Sequence, residues 1–199
     1  SARNAGIKQA IGSWIAFLDS DDEWMSNKLE RQEGVINSFQ EAWLCHTNEI
    51  WIRNGVRVNQ MKKHQKYGGN VFENCLDICR ISPSSVLIKK EVFEMVGLFD
   101  ESLKVCEDYD LWLRITAVLP VIFLDEQLIT KYGGHSDQLS RVDNGIEQYR
   151  IKSLEKILIK FLNSSSKISS FLCNNFVEPY TLCFEFGVCS HFLSINSLK

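Results

Sequence analysis

The sequence predicts an α/β domain in which short apolar strands alternate with amphipathic helices. Two apolar runs of strand length, 14–18 and 84–89, each lie next to a segment with helical periodicity. The 199 residues suffice for one domain and are too few for two ordinary ones, and 45% of them are hydrophobic. A chain of this size and composition can bury a core.

The first half of the chain contains two predicted helices, a strand and a hairpin. A helix over 2–11 leads directly into the strand 14–18. Residues 28–39 carry apolar side chains at helical spacing, which predicts the second helix. Residues 42–59 alternate around Asn54-Gly55, a pair that favours a tight hairpin turn.

The second half continues the alternation. Its predicted helices are 71–79, 91–96 closed by Gly97, one that begins at Glu107, and an amphipathic helix over 146–161. Its predicted strands are 84–89, 121–124 and 128–132. The domain is therefore expected over residues 1–162. The tail 163–199 shows no clean period, and a packed helical extension, a membrane-associating tail and an unfolded segment all remain open.

Charge and cysteine content exclude several classes of protein. The net charge of −3 argues against a nucleic-acid binder. Seven cysteines without a Cys-x-x-Cys pair indicate free thiols in a reducing cytosol. No apolar run approaches the length of a transmembrane helix. The basic cluster of Lys62, Lys63, His64 and Lys66 is interpreted as a solvated loop, with contact to anionic lipid or substrate as the alternative.

A group of acids follows the first strand: Asp19, Asp21, Asp22 and Glu23. Two carboxylates ~4 Å apart repel by ~4 kcal/mol at an effective dielectric of 20, so such clustering indicates a bound cation. Three functional readings are open: an EF-hand loop, an Asp-x-Asp phosphatase of the haloacid-dehalogenase type, and the metal and diphosphate ligands of a sugar transferase. A fourth reading is a solvated acidic turn.

A second acidic group, Glu107-Asp108-Tyr109-Asp110, opens a helix. The helix dipole favours ionised carboxylates there, so one of them could act as a general base, and simple capping is the alternative. Arg3 could make forked contacts to phosphate. His135 lies in a Gly-rich loop, and Trp24 and Trp112 could be core residues or sugar-stacking aromatics.

Taken together and in order, these pieces resemble the family 2 glycosyltransferases of GT-A fold, a large bacterial group that builds envelope polysaccharides. The resemblance covers residues 2–160. It is carried by Ala2-Arg3-Asn4-Ala5-Gly6-Ile7, the segment 12–24 with Asp19-Ser20-Asp21-Asp22, Lys28-Leu29-Glu30, Pro83-Ser84-Ser85, Gly97-Leu98-Phe99-Asp100-Glu101, 107–114, Tyr132-Gly133-Gly134-His135 and Gln138-Leu139-Ser140. It implies a truncated GT-A fold, which is a Rossmann-like mixed sheet flanked by helices, with a helical C-terminal extension.

The resemblance also implies roles for individual residues. Asp108 matches the catalytic base, and Glu107 a contact to the acceptor hydroxyl. The donor contacts are Arg3, Asn4, Asp19, Asp21 and Asp22; the metal ligands are Asp21 and His135; the acceptor contacts are Trp112 and Trp24. The implied reaction is an inverting, Mg²⁺- or Mn²⁺-dependent transfer from a nucleotide-sugar donor to a hydroxyl of a glycan or lipid-linked acceptor.

The resemblance implies a cytoplasmic enzyme, with peripheral association at the inner face of the membrane as a further expectation. The family begins with an apolar strand and further strand–helix units that hold the nucleotide. The sequence begins at Ser1, inside the first helix, so a fragment or a truncated gene product is expected. The alternative function is a degenerate, non-catalytic module that binds a sugar or a partner.

Overall fold

The structure, a computed structural model, describes residues 2–134 and 146–162, with side chains up to residue 160. The chain divides into two compact units, 1–154 and 155–199, and only 155–162 of the second unit are described. The predicted domain boundary between 162 and 163 coincides with the end of the described residues, and the predicted tail lies outside them. The domain division therefore stays a prediction.

Six strands of the first unit form one mixed sheet. The strands are β1 (Trp14–Ala16), β2 (Asp22–Trp24), β3 (Leu44–Arg53), β4 (Val56–Val58), β5 (Leu87–Lys89) and β6 (Ile122–Gly133). Their order is β1-β5-β3-β6-β2, and β4 pairs with the end of β3. The central pair, β3 and β6, is parallel, and every other pair is antiparallel.

The described residues contain six α-helices: α1 (Ala2–Gln9), α2 (Lys28–Ile36), α3 (Phe72–Leu76), α4 (Glu91–Val96), α5 (Glu107–Thr116) and α6 (Ile146–Leu162). Helix α2 packs against β3 and β6, while α3 and α4 pack against α5. Short 3₁₀ turns cover Lys62–His64 and Pro83–Ser85. None of the helices within 2–134 and 146–162 combines the length and the apolarity that a bilayer crossing requires.

The core contains fully buried aliphatic side chains from both strands and helices. Leu44, Ile88 and Ile129 come from the sheet, and Leu111 and Leu113 from α5. Burial of each such side chain stabilises the fold by about 1.5–3 kcal/mol before packing terms. A chain of edge-to-face aromatic contacts joins the strand-1 region to α5, through Phe17, Phe99 and Trp112.

The predicted hairpin is confirmed. Asn54 and Gly55 have φ of 50° and 75°, the left-handed pair that a two-residue turn between twisted strands requires. The pairing of Trp51 with Val58 and Arg53 with Val56 follows from this turn. The helix predicted over 91–96 is also confirmed, and it ends at Gly97, whose φ of 88° suits glycine.

Two strand predictions need correction. The structure merges 121–124 and 128–132 into one strand, β6, because its irregularity at Asp125–Gln127 is accommodated by a register shift against β3. Strand β2 was not predicted, because Asp22-Glu23-Trp24 lacks apolar alternation and pairs only through β6. The EF-hand reading is also wrong, because a paired strand begins at Asp22, where the loop of a calcium site would continue.

The basic cluster is also not a solvated loop throughout. Lys66 is buried, and its ammonium lies 3.2 Å from the carboxylate of Glu49 and donates to the carbonyl of Arg80 at 2.7 Å. A buried ammonium needs such partners because desolvation otherwise penalises its charge. Lys62 and Lys63 are exposed, as expected.

Gln32 joins α2 to the sheet and provides a stability prediction. Its fully buried amide donates to the carbonyls of Cys45 and Ser85 at 2.9 and 3.0 Å. Gln32→Leu leaves both carbonyls buried without these donors, so we expect the free energy of unfolding to fall by about 2–4 kcal/mol. Urea denaturation measures this, with Gln40→Leu, an exposed position, as the control. Equal stability of the two variants would contradict the role of Gln32.

Candidate functional site

Arg3 bridges the two acidic groups that the sequence separates by about ninety residues. Its guanidinium donates to Asp19 Oδ1 at 2.5 Å and to Glu107 Oε1 at 2.6 Å. The same group lies 5.5 Å from the centroid of the Phe99 ring. Burial alone would lower the pKa of Arg3, but Asp19 and Glu107 raise it, so the arginine stays charged. The structure therefore brings the predicted donor arginine, first aspartate and second acidic group together.

The strand-to-acid junction is held by Ser84. The backbone N–H of Asp19 donates to Ser84 Oγ at 3.0 Å, and Trp24 Nε1 donates to the Ser84 carbonyl at 2.8 Å. The N–H of Asp22 then donates to the carbonyl of Asp19 at 3.0 Å, which closes a tight turn. Pro83-Ser84-Ser85 belonged to the family resemblance, and its contribution is this support for the acids.

Asp22 is half-buried beside the other acids of this cluster. Burial, together with the charges of Asp19 and Asp21, raises its pKa to about 6, against the opposing effects of Ser84 and Lys131. Asp21 is exposed. A cation placed at these carboxylates would offset the cost of burying the charge of Asp22 and the smaller repulsion from Asp19 and Asp21.

Asp108 lies in the first turn of α5, beside Glu107. Its Oδ1 accepts from the N–H of Tyr109 at 2.7 Å, and its Oδ2 lies 3.6 Å from the thiol sulfur of Cys79. Burial raises the pKa of Asp108, and the neighbouring Glu107 raises it further, whereas Tyr109 N–H, Arg3 and Lys131 lower it. A carboxylate with a raised pKa is a stronger base than an ordinary one, which suits proton abstraction.

The residue before the second acidic group has a strained backbone. Cys106 has φ of 63°, in the left-handed region that costs a non-glycine residue roughly 1–2 kcal/mol. It precedes Glu107, the first residue of α5. Such outliers concentrate at functional sites, and here the turn fixes the direction in which Glu107 and Asp108 enter the helix.

A cavity of about 350 Å³ lies between these groups. Its lining includes Arg3, Asp19, Cys79, Glu107 and Asp108. Arg3 and Asp19 also line a second opening of about 330 Å³ next to Leu18 and Ser20. Both volumes fall at the lower end of those found for small-molecule sites.

Lys131 was missed by the sequence analysis. It pairs with Asp22 across the β2–β6 ladder and with Trp51 across β3–β6, so these three side chains share one face of the sheet. Its Nζ lies 3.2 Å from Ser82 Oγ. Burial would lower its pKa, but Glu49, Asp22 and Asp108 raise it, so the ammonium stays charged. Only the register between distant strands places this lysine at the acids.

Several predicted site residues are placed elsewhere. The Asn4 amide is buried, and it donates to the Phe99 carbonyl at 2.9 Å and accepts from the Phe99 N–H at 3.0 Å, so it holds that loop rather than facing a donor. Trp112 is 1% exposed, which leaves no ring face for an acceptor, and it is a core residue. Trp24 is half-buried, with the Lys28 ammonium 4.3 Å from its ring centroid. His135 lies outside the described residues.

The acids fit a divalent cation that takes one or two ligands from the protein and the others from a phosphate group and water. Carboxylate oxygens are the ligands that Mg²⁺ and Mn²⁺ prefer. Within 2–134 and 146–162, no group of three or more His, Cys, Asp or Glu side chains is placed to hold a metal ion. Mg²⁺ usually takes one or two carboxylates from the protein and its remaining ligands from substrate phosphates and water. Asp21 and Asp19 could supply that smaller set.

Comparison with known proteins bears on both fold and family. A family model described as "Glycosyltransferase like family 2" matches residues 1–140. The structure of S. aureus TarS 1-349 in complex with UDP-GlcNAc superposes with a TM-score of 0.65 at 18% identity, covering 85% of this chain and 48% of the TarS 1-349 chain. The fold is thus the predicted GT-A type, a mixed sheet flanked by helices.

Two relatives illustrate the sequence similarity. An uncharacterized glycosyltransferase of Rickettsia prowazekii is 30% identical over 206 residues, which cover 92% of this chain and 63% of the relative. WfgD of Escherichia coli, named as a UDP-Glc:alpha-D-GlcNAc-diphosphoundecaprenol beta-1,3-glucosyltransferase, is 34% identical over 114 residues, covering 57% of this chain and 42% of WfgD. The chain therefore spans less than two thirds of the length of either relative.

Proposed function

This chain belongs to the glycosyltransferase-like family 2, and we propose that it transfers a sugar, with inversion, from a nucleotide sugar to a hydroxyl group of a cell-envelope glycan. The observation that carries the proposal is the bridge of Arg3 between Asp19 and Glu107. It joins the acids of a donor site to the acids of an acceptor site across one cavity.

Asp108 is the proposed general base. Its carboxylate takes the proton of the acceptor hydroxyl as that oxygen attacks the anomeric carbon. The bond from this carbon to the diphosphate breaks on the opposite side, and the nucleoside diphosphate leaves with the electron pair. Glu107 contacts the acceptor hydroxyl and, through Arg3, fixes the entry to α5. General-base assistance of this kind contributes about 10²–10⁴ in rate.

The donor binds at the strand-to-acid junction. We propose that Arg3 contacts the diphosphate, because a guanidinium can make two parallel bonds to phosphate oxygens, and that the phosphate then replaces part of the bridge to Asp19 and Glu107. Asp19, Asp21 and Asp22 line the remaining donor side, and Asp21 with His135 would hold the cation. When bound, Mg²⁺ or Mn²⁺ stabilises the negative charge that develops on the leaving diphosphate. The UDP-sugar named for TarS and WfgD makes a uridine diphosphate donor the first choice to test.

The proposed acceptor is a glycan or a lipid-linked sugar, as the name of WfgD suggests. The site would face the cytoplasm, where free thiols such as those of Cys45, Cys75, Cys79 and Cys106 persist. We propose peripheral association with the inner face of the membrane as the route to a lipid-linked acceptor. We also propose that Trp24 contacts the acceptor.

The experiment measures UDP release from UDP-glucose and UDP-GlcNAc in the presence of Mn²⁺, and the anomeric configuration of the product by NMR. We expect Asp21→Asn to raise the Mn²⁺ concentration for half-maximal turnover at least about tenfold, because groups that only support a metal ligand already contribute about 10–100-fold to metal affinity, and Asp21 is proposed as a direct ligand. Glu94→Gln removes an exposed carboxylate on α4 and is the matched control.

The outcomes separate the alternatives. A retained anomeric configuration would overturn the inverting mechanism. Equal Mn²⁺ dependence in Asp21→Asn and Glu94→Gln would remove Asp21 from the metal site. Sugar binding by calorimetry without UDP release from any donor would favour the non-catalytic module that the sequence left as the alternative.

A further inference from the structure

A second cavity, of about 300 Å³, adjoins the carboxylate site. Cys79 lines both cavities, and the thiol of Cys79 lies 3.6 Å from Asp108 Oδ2. The strand register places Trp51, Lys131 and Asp22 side by side on one face of the sheet, so this cavity and the acid cluster open on the same side. A ligand that reaches Asp108 can therefore extend into the second cavity.

One ion pair in this cavity is internally satisfied. The carboxylate of Glu49 accepts from Trp51 Nε1 and Ser82 Oγ, each at 2.7 Å, and lies 3.2 Å from Lys66 Nζ. Burial tends to raise the pKa of Glu49, but Lys66, Lys131 and these donors lower it. Glu49 and Lys66 thus cancel, and neither charge is available to a ligand.

The remaining charge of the cavity is positive. Lys131 and Arg53 line it, and among the described residues neither has a carboxylate within 4.0 Å. Arg80 also lines the cavity, but it forms a bidentate pair with Asp77 at 2.9 and 2.8 Å. Burial and neighbouring cations lower the pKa of His64, so its ring is neutral. Asp22, Glu49 and Asp108 act on Lys131 from beyond ion-pair distance. The cavity is nevertheless lined by more cationic than anionic side chains, and this excess of positive charge favours an anionic ligand.

The wall of the cavity is aromatic and rigid. The bond from Trp51 Nε1 to Glu49 fixes the indole, the His64 ring packs edge-on at 4.9 Å, and the Arg53 guanidinium lies 5.5 Å from the indole centroid. An aromatic group whose polar atom is already bonded offers an apolar surface at little entropic cost. The C–H face of a pyranose ring matches such a surface.

We propose that this cavity binds the acceptor and that the acceptor is an acidic glycan, whose sugar lies against Trp51 and whose phosphate or carboxylate contacts Lys131 and Arg53. The inference rests on the proposed function, since it names the substrate class for the hydroxyl that Asp108 deprotonates. Phosphate and carboxylate share the charge that the two cations select, and the probes below distinguish them.

The experiment compares the binding of four probes by calorimetry: N-acetylglucosamine 1-phosphate, glucuronic acid, N-acetylglucosamine and glucose. We expect one acidic sugar to bind at least tenfold more tightly than its neutral counterpart, and the tighter of the two identifies the anionic group. Lys131→Met and Arg53→Met are each expected to remove most of this difference. Lys89→Met is the matched control, because Lys89 is also a strand lysine beside an indole, 4.8 Å from the Trp43 ring centroid.

Equal affinity for acidic and neutral sugars would overturn the inference, as would the same loss in Lys89→Met as in Lys131→Met. If Lys131→Met loses its cooperative thermal transition, Lys131→Arg and Arg53→Met replace it in the comparison. Lys131→Arg keeps the charge and is expected to keep the selectivity for the acidic sugar, whereas Arg53→Met is expected to lose it. Selective binding of an acidic sugar by a protein that releases no UDP would overturn the proposed function and support this cavity. Turnover with neutral acceptors that is insensitive to Arg53→Met would overturn this inference alone.

Discussion

Asp108→Asn is expected to lower sugar transfer by about 10³-fold at neutral pH. An amide of the same shape keeps the packing around Tyr109 N–H and Cys79 but cannot take the proton of the acceptor hydroxyl. The loss corresponds to the middle of the range of about 10²–10⁴-fold for general-base catalysis. Initial rates of transfer, with donor and acceptor saturating, measure the effect on kcat.

Two controls make this result specific. Glu91→Gln changes an exposed acid that also lies in the first turn of its helix, α4, away from the cavity, and is expected to leave the rate unchanged. Binding of UDP should also be unchanged in Asp108→Asn, since Asp108 is proposed to contact the acceptor. A variant that retains more than a tenth of wild-type turnover would remove Asp108 as the base.

The pH dependence of turnover follows from the raised pKa of Asp108. The base works only when ionised, so activity is expected to fall as the pH drops through the folded-state pKa of this carboxyl. Because burial and Glu107 raise that pKa above the usual aspartate value, the acid limb should lie above the range of an exposed aspartate. Asp108→Asn should abolish this limb in whatever activity remains.

Arg3→Met is expected to give the second largest loss, about 10²-fold in kcat/KM. The substitution removes the cation that holds Asp19 and Glu107 together and that is proposed to contact the donor diphosphate. It also removes a positive charge that lowers the pKa of Asp108, so the acid limb should move to higher pH. Arg3→Lys keeps the charge without the fork, and we expect it to restore the limb more fully than the rate.

The control for this variant is Arg31→Met. Arg31 forms an exposed pair with Glu126, and such pairs contribute little to stability or function. Full-range pH–rate profiles of Arg3→Met, Arg3→Lys and Arg31→Met provide the comparison. An acid limb of Arg3→Met that coincides with that of wild type would show that Arg3 does not act on the base.

The parts of the fold that the sequence predicted are those set by local chemistry. The Asn54-Gly55 hairpin and the Gly97 helix end follow from backbone preferences of individual residues. Strand β2 could not be found this way, because Asp22-Glu23-Trp24 becomes a strand only through pairing with β6. The two strands predicted over 121–124 and 128–132 were separated because the polar residues between them resemble a turn. Only the pairing with β3 joins them into β6.

The candidate site shows a similar division. Arg3, Asp19, Glu107 and Asp108 could be named from motif order, and the structure brings them together. Lys131 and Cys79 carry no local signal, because their positions depend on strand register and on the packing of α3 against α5. Trp112, predicted to contact the acceptor, is buried in the structure, and helical spacing alone does not distinguish a core ring from an exposed one.

The irregular pairing of β3 with β6 makes the site more tolerant of substitution than of insertion or deletion. Strand β6 runs from Leu124 to Ile129 while β3 advances only from Thr47 to Glu49, so β6 contains an odd number of extra residues. Deleting one residue there would reverse the facing of every later side chain. Tyr132 would then replace Lys131 beside Asp22. Insertions and deletions in this short segment are thus expected to be absent from catalytically active members of the family, even where the residues themselves vary.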